Sequence, residues 1–165
     1  MRIGFENTDT EENIMTTGNI QAICLSRKKG VVKKPVDSAQ IQANHGIVGD
    51  AHAGDWHRQV SILPQESIDI MREQIPNLAD GAFAENIVTS GVDFSRVRIG
   101  TQFQLGDSAL LEVTQVGKEC HTACAIKSMT GDCIMPREGI FCRVLQGGTL
   151  RPGDRAQVLH VAETV

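Results

Sequence analysis

Apolar positions along this chain recur mainly with a period of two, in short runs closed off by glycine, proline or aspartate. Ile20 to Ser26 reads as a first strand and His57 to Leu63 as a second. Pro64 then opens a helix whose Ile68, Met71 and Ile75 repeat at helical spacing until Pro76 stops it. Phe83 to Val88 is a further predicted strand. Gln102 to Leu105 and Ser108 to Val116 flank Gly106-Asp107, a two-residue hairpin signal, and Ala109, Leu111 and Val113 alternate along the second arm. Ile140 to Leu145 and Arg155 to Val161 complete the set, separated by Gln146-Gly147-Gly148 and Arg151-Pro152-Gly153-Asp154. Gly-Asp pairs begin at 49, 54, 106, 131 and 153. Many turn signals between short strands, with one or two short helices, predict a mostly β chain folded as a compact, antiparallel β-barrel rather than a βαβ layout.

Residues 1–17 carry Glu6, Asp9, Glu11 and Glu12 among Asn and Thr without periodicity, which predicts a flexible N-terminal arm ahead of one domain over 18–165. The basic Arg27-Lys28-Lys29-Gly30 and Lys33-Lys34-Pro35 read as a solvated turn. A formal net charge of −4 argues against a nucleic-acid partner, which would call for a basic stripe. No apolar run approaches the roughly 20 residues of a membrane span, and the acidic start lacks a signal peptide's cationic region, so a soluble, cytoplasmic protein is expected. A homodimer is suggested only by base rates for soluble proteins.

Five cysteines in a reducing compartment are expected as free, catalytic or metal-bound thiols rather than disulfides. Cys24 lies between Ile23 and Leu25, and Cys142 shares a strand face with Ile140 and Val144, so both are predicted to pack in the core. The other three fall in one irregular segment: Gly117-Lys118-Glu119-Cys120-His121-Thr122-Ala123-Cys124, followed by Cys133. Lys118 and His121 beside Cys120 favour its thiolate, whereas Glu119 opposes it. Cys120, Cys124 and Cys133 with His121 also have the first-pair spacing of a structural zinc site, without a matching second pair. A reactive thiol and a metal therefore both stand as readings of this cluster.

The glycine-rich stretch His45 to Arg58 holds three histidines ahead of a strand and matches no standard phosphate-loop pattern. It reads either as a loop that brings backbone amides to an anion, with Arg58 pairing to a phosphate in forked geometry, or as a plain surface turn. Arg137 and Arg143 flank the late cysteine region and, with Arg58 and Lys118, form a set of cations able to hold an anionic, phosphorylated ligand beside Cys120.

The order His45-Gly-x-x-Gly-Asp50, Arg58-Gln-Val-Ser, Gly81-x-Phe-x-Glu-Asn86-Ile, Gly106-Asp107, the Cys120 segment and Gly139-Ile-Phe-Cys-Arg143 resembles the MOSC domain, the C-terminal domain of molybdenum-cofactor sulfurase. The likeness runs from about Gly18 to Val161 and points to a small stand-alone member. It implies a barrel-like fold and one family cysteine, here Cys120, that carries sulfur as a persulfide or ligates the molybdenum of a pterin cofactor. Arg58, Asn86, Arg137 and Arg143 would then hold the cofactor. The resemblance further implies a sulfur-transferase-like activity fed by a cysteine desulfurase, whose pyridoxal phosphate stays on that partner, and acceptors among molybdenum-cofactor proteins. A non-catalytic cofactor carrier and a zinc-stabilised interaction domain are the competing readings. Val116-Gly-Lys-Glu leading into Cys120 and the extra Cys124 and Cys133 depart from the family's usual pattern.

Overall fold

A computed structural model describes residues 14–117 and 138–159. The strands are β1 (Ile14–Leu25), β2 (Lys34–Val36), β3 (Ala39–Gln42), β4 (Gly46–Ile47), β5 (Val60–Pro64), β6 (Ile87–Ser90), β7 (Gln102–Leu105), β8 (Ala109–Val116), β9 (Ile140–Gln146), β10 (Gly148–Leu150) and β11 (Arg155–Leu159). The helix among the described residues is α1 (Gln65–Arg72). The main sheet runs β11-β7-β8-β9-β5-β6-β1-β2, and a further pairing of β11 with β1 closes seven of these strands into a barrel. β10, β3 and β4 form a small second sheet. No helix among the described residues is long and apolar enough to cross a membrane.

The long β1 makes closure possible, because its first half pairs with β11 and its second half with β6. It begins at Ile14, within the stretch expected to be a flexible arm through Thr17: Thr16 and Thr17 pair with Val158 and Gln157. Residues 1–13 lie outside the described residues. Alternate positions point inward, so Ile20, Val60, Ile62, Ile87, Leu111, Val113, Ile140, Cys142 and Val144 form one barrel core.

A second apolar cluster lies on the outer face of the same wall. Ala22, Cys24, Leu63, Val88 and Phe141 pack there beneath Ile68 and Met71 of α1 and against Phe83. Strand β5 is therefore buried on both sides, as its unbroken Val-Ser-Ile-Leu-Pro burial shows. It pairs in parallel with β6, Ile62 opposite Ile87. Parallel pairing needs a crossover, and α1 provides it, so one βαβ unit is built into a barrel expected to be antiparallel throughout.

Local chemistry explains where other predicted elements shift. The helix ends at Arg72 rather than running to Ile75, because the residue before Pro76 is pushed out of the helical region; amides of Glu73 and Ile75 close the end onto Ile70 and Met71. Phe83 to Glu85 do not join β6. The Glu85 carboxylate accepts the amides of Gly81 at 2.6 Å and Phe83 at 2.9 Å, and these bonds fold the segment into a turn. Gly81 has φ +91°, and a Cβ there would sit 2.1 Å from the Lys33 carbonyl oxygen, so only glycine fits. The β7–β8 loop has three residues, not two, since Leu105 pairs with Ala109 and Gly106 takes the left-handed position.

The expected solvated turn at Lys33-Lys34-Pro35 holds for the exposure of Lys34 and Pro35 but not for Lys33. Lys33 is buried in an ion pair with Asp50, and Lys34-Pro35 belong to edge strand β2, where Pro35 pairs with Cys24 without needing a donor. Arg27 to Gly30 remain exposed.

Candidate functional site

The outer face of β5, β9 and β8 carries the polar chemistry. Because Ile140, Cys142 and Val144 face the barrel core, Phe141 and Arg143 project from the opposite side of β9. A register shift between Val113 and Gln115 interrupts β8 on the same face. The Gln115 amide donates to the Gly117 carbonyl at 2.7 Å, which leaves its oxygen to accept from His57 Nε2 at 2.9 Å. The Thr114 hydroxyl donates to the carbonyls of His57 and Phe141. These bonds lace the segment before β5 onto the end of β8, where the Gly117 amide donates to the Gly139 carbonyl at 2.6 Å. Gly117 and Gly139 are thus tied to each other on the same side of the barrel as His57 and Phe141.

Arg58 lies at the centre of this face. Its guanidinium carbon sits 4.9 Å from the Trp56 ring centroid and 5.6 Å from that of Phe141. Its Nε is buried and has no hydrogen-bond partner among the described residues. Cation–π contacts to two rings stabilise the charge but supply no acceptor for that N–H. Lys29 Nζ approaches the same indole to 4.8 Å.

Trp56 is itself held from beneath. Its Nε1–H donates to the His52 carbonyl at 2.7 Å, and the His52 ring stacks on it at 6.3 Å with a 9° interplanar angle. His57 meets it edge-on at 5.7 Å. Below this stack, Lys33 donates to Asp50 Oδ1 at 2.8 Å, to Ser26 Oγ at 3.2 Å and to His52 Nδ1 at 3.0 Å. An ammonium has no acceptor, so the Nδ1 atom facing it is unprotonated and the ring proton sits on Nε2. Asp50 also accepts the amides of Ser26 and His52, and the side chains of Lys33 and Asp50 are both 0% exposed. The glycines at 46 and 49, both with positive φ, let the chain turn tightly enough to bury that aspartate.

Of the residues expected at the site, Lys118, Cys120, His121, Cys124, Cys133 and Arg137 lie outside the described residues. Arg58 stands at the aromatic face. Arg143 is on the same side of β9 but is already engaged, its guanidinium donating to Asp55 at 2.5 Å and to Asn44 at 2.7 Å. Asn86, expected as a cofactor contact, is engaged within the wall of the barrel. It is 1% exposed, its oxygen accepts the Ser61 amide at 3.0 Å and its nitrogen donates to the Cys24 carbonyl at 3.0 Å, so its polar atoms staple β5, β6 and β1 together.

Cys24 and Cys142 are buried free thiols, as expected of core residues. Burial, reinforced by Glu85 and Asp80 and opposed by Lys33, pushes the Cys24 thiol up to about 12. Burial and Glu112 push Cys142 up as well. Neither supplies a thiolate near neutral pH. Among the described residues, no three His, Cys, Asp or Glu side chains gather closely enough to hold a metal ion.

The sequence reading did not single out Trp56, Lys29, Lys33 or Asp50. One signal for the first was available, a lone tryptophan flanked by His52, His57 and Arg58 in a glycine-rich segment. The partnership of Lys29 with Trp56 has no local signal, because 26 intervening residues separate them.

Comparison with known proteins bears on the same segments. The family model of the MOSC domain matches residues 49–157, which include the whole Trp56–Arg58 face. A protein described as a reductase from Gibberella moniliformis is 28% identical over 154 residues, covering 81% of this chain and 28% of that protein. Protein YiiM of Escherichia coli is 30% identical over 114 residues, covering 64% of this chain and 50% of YiiM. The chain thus spans half or less of these curated relatives. Among solved structures, the YuaD protein from Bacillus subtilis matches with a TM-score of 0.72 at 20% identity, covering 88% of this chain and 97% of that one. YiiM from Escherichia coli matches with a TM-score of 0.63 at 19% identity, covering 90% of this chain and 72% of that one. At such identities the structural matches establish the shared fold.

Proposed function

The chain belongs to the MOSC domain family, a family associated with the molybdenum cofactor, and on that premise we propose that it handles sulfur for that cofactor through Cys120. The observation that carries this reading is Arg58. A guanidinium held between two aromatic rings, with a buried N–H left unpaired, is a site prepared for an anion such as the phosphate of a pterin. Cys120 follows Gly117 by three residues, a span of at most about 11 Å, and Gly117 is tied to the Gln115–His57 pair on this face.

In this reading Arg58 is the principal cofactor-binding residue, with Arg143 and Arg137 adding positive charge. Asn86 serves by holding the wall. The cofactor, when bound, supplies a molybdenum centre able to accept sulfur or a thiolate ligand. Lys118 and His121 favour the anionic forms of Cys120.

Loading of Cys120 requires no outside oxidant. Its thiolate attacks the terminal sulfur of a desulfurase cysteine persulfide, the S–S bond there breaks, and the desulfurase cysteine leaves as a thiolate while the new persulfide forms on Cys120. Molybdenum-cofactor proteins are the proposed acceptors, and the location proposed is cytoplasmic.

Incubation with a cysteine desulfurase, its pyridoxal phosphate and cysteine should add 32 Da to the wild type, about the mass of one sulfur atom, and nothing to Cys120→Ser. An unmodified wild type overturns sulfur transfer. Stoichiometric molybdenum without a sulfur adduct, in protein from a molybdenum-replete host, assigns cofactor carriage instead. One zinc per chain, with a melting temperature lowered by chelator, assigns a structural metal.

A further inference from the structure

The turn that leads into β7 holds an apolar side chain out in solvent on a fixed support. Val97 donates its amide to the Phe94 carbonyl at 3.1 Å, Arg98 to the hydroxyl of buried Thr101 at 3.0 Å, Gly100 to the Val113 carbonyl at 2.8 Å, and Thr101 to the Arg98 carbonyl at 3.0 Å. Phe94 packs on Phe103 of the barrel core, with ring centroids 5.7 Å apart. At the tip, Ile99 is 68% exposed, more than any other large apolar side chain among the described residues. Arg96 and Arg98, both exposed, immediately precede it. The turn therefore presents an aliphatic group together with two cations.

Strand register brings the start of β1 to this turn. Ile14 pairs with Leu159, and Leu159 pairs with Gln102, the residue after Thr101. Neighbouring strands lie about 4.8 Å apart, so Ile14 enters the barrel about 10 Å from Gln102 and within roughly 20 Å of Arg98. Residues 1–13, which precede it, carry carboxylates at Glu6, Asp9, Glu11 and Glu12 and apolar side chains at Ile3 and Phe5. Glu12 is two residues from Ile14 and Glu6 is eight, spans of at most about 7 Å and 29 Å. The acidic run thus brackets the distance to the turn.

We propose that the acidic run Glu6–Glu12 docks on the Phe94–Thr101 turn, its carboxylates pairing with Arg96 and Arg98 and the apolar side chains ahead of it covering Ile99. Charge complementarity and tethering both favour this occupant. A segment joined to β1 meets the turn at an effective concentration in the millimolar range, so exposed ion pairs too weak to capture a free peptide suffice. Asp93, whose carboxylate accepts the Ser95 amide at 2.9 Å, and Glu112, opposite Gln102, carry charge that opposes the docking. The apolar contact with Ile99 adds to what the ion pairs supply. This interaction is independent of sulfur chemistry at Cys120.

Endoproteinase Glu-C cuts after glutamate, and intact mass locates each cut within residues 1–13 of the full-length protein. At about 10 mM salt, where charges act over about 30 Å, the wild type should be cut about fivefold more slowly than Arg96→Glu/Arg98→Glu. At about 1 M salt the two should converge. Ile99→Ser should speed cutting about twofold. Glu6→Lys/Asp9→Lys should speed cutting after Glu11 and Glu12 when Arg96 and Arg98 are present and slow it in the Arg96→Glu/Arg98→Glu background, the reversal expected of a direct charge pairing. The turn's hydrogen bonds come from its backbone and Thr101, so an unchanged melting temperature should confirm that each variant is folded.

Equal cutting of wild type and Arg96→Glu/Arg98→Glu at low salt overturns the proposal and leaves the turn to another occupant. Protection that disappears on dilution overturns it in favour of a second copy of the chain. Sulfur loading on Cys120 is read separately by mass and stands or falls without it.

Discussion

Lys33 and Arg58 belong to neighbouring parts of one polar network, yet the fold treats their charges in opposite ways. Lys33 is sealed from water, with each of its ammonium protons directed at an acceptor and the Asp50 carboxylate cancelling its charge. Arg58 is only half-buried, cushioned by Trp56 and Phe141, and left with a buried N–H unanswered. A buried cation whose donors are all matched holds architecture together. One whose donor has no partner among the described residues is, in the proposed reading, arranged for an anion. The glycine-rich stretch, read from sequence as an anion loop or a plain turn, is divided: Asp50 and His52 face inward to Lys33, and Trp56 and Arg58 lie on the outer face.

The sharpest way to break this contrast is to truncate both cations. Lys33→Met leaves Asp50 buried and uncompensated and should cost about 3–5 kcal/mol in urea unfolding. Arg58→Ala should cost less than about 1 kcal/mol while removing phosphate binding. Similar losses of stability in the two variants would abolish the distinction between them.

A second, somewhat smaller effect concerns pH. Burial raises the Glu85 carboxyl from 4.5 to about 7, against the lowering pull of the Gly81 and Phe83 amides, with Asp80 adding to the rise. The folded state then holds its proton more tightly than the unfolded chain. The associated stability is complete below about pH 4.5 and is lost as pH rises through 7, a total of about 3 kcal/mol. Glu85→Gln should flatten that slope in urea titrations between pH 5 and 8. A wild type whose stability rises across the same interval would contradict the assignment.

The smallest expected effect sharpens the outer half of the contrast. Asp55 occupies Arg143, two residues from Phe141 on the same face of β9, and its side chain is 75% exposed. An exposed pair of this kind contributes little stability, so Asp55→Asn should shift the unfolding midpoint by less than about 1 kcal/mol. By freeing Arg143 it should tighten phosphate binding about threefold in a Trp56 fluorescence titration. Unchanged affinity would place Arg143 outside the anion site.

Many strand positions were legible from an alternating apolar and polar run, though the short alternating β3 (Ala39–Gln42) was missed. The period-two pattern of Ala109, Leu111 and Val113 located β8 and its inward face, and the runs at 102–105 and 140–145 located β7 and most of β9. Elements without such alternation were missed. Lys34–Val36, Gly46–Ile47 and Gly148–Leu150 are short edge pieces whose pairing comes from partners distant in sequence. The parallel β5–β6 contact was hidden for a related reason, since a strand buried on both faces carries no alternation to reveal its partners.

The candidate site was legible by residue type and much less by environment. Arg58 was visible as a cation in a glycine-rich stretch, and Cys24 and Cys142 as core thiols. The burial of Lys33 and the wall contacts of Asn86 were not legible because hydrogen-bond capacity is a property of the residue, whereas its expenditure on Ser61, Cys24, Asp50 or His52 depends on contacts across 17 to 62 positions.

By itself, then, the order of residues determined the family, the mostly β character and the chemical inventory of the outer face, because period, turn chemistry and side-chain type are local quantities. Only the tertiary structure decided which charges are cancelled. Closing the barrel placed Asp50 beneath Lys33 and Asp55 beside Arg143 while leaving Lys29 and Arg58 on Trp56 without a carboxylate partner among the described residues. Charge neutralisation is a matter of distance in space, and that distance is fixed when the strands pair.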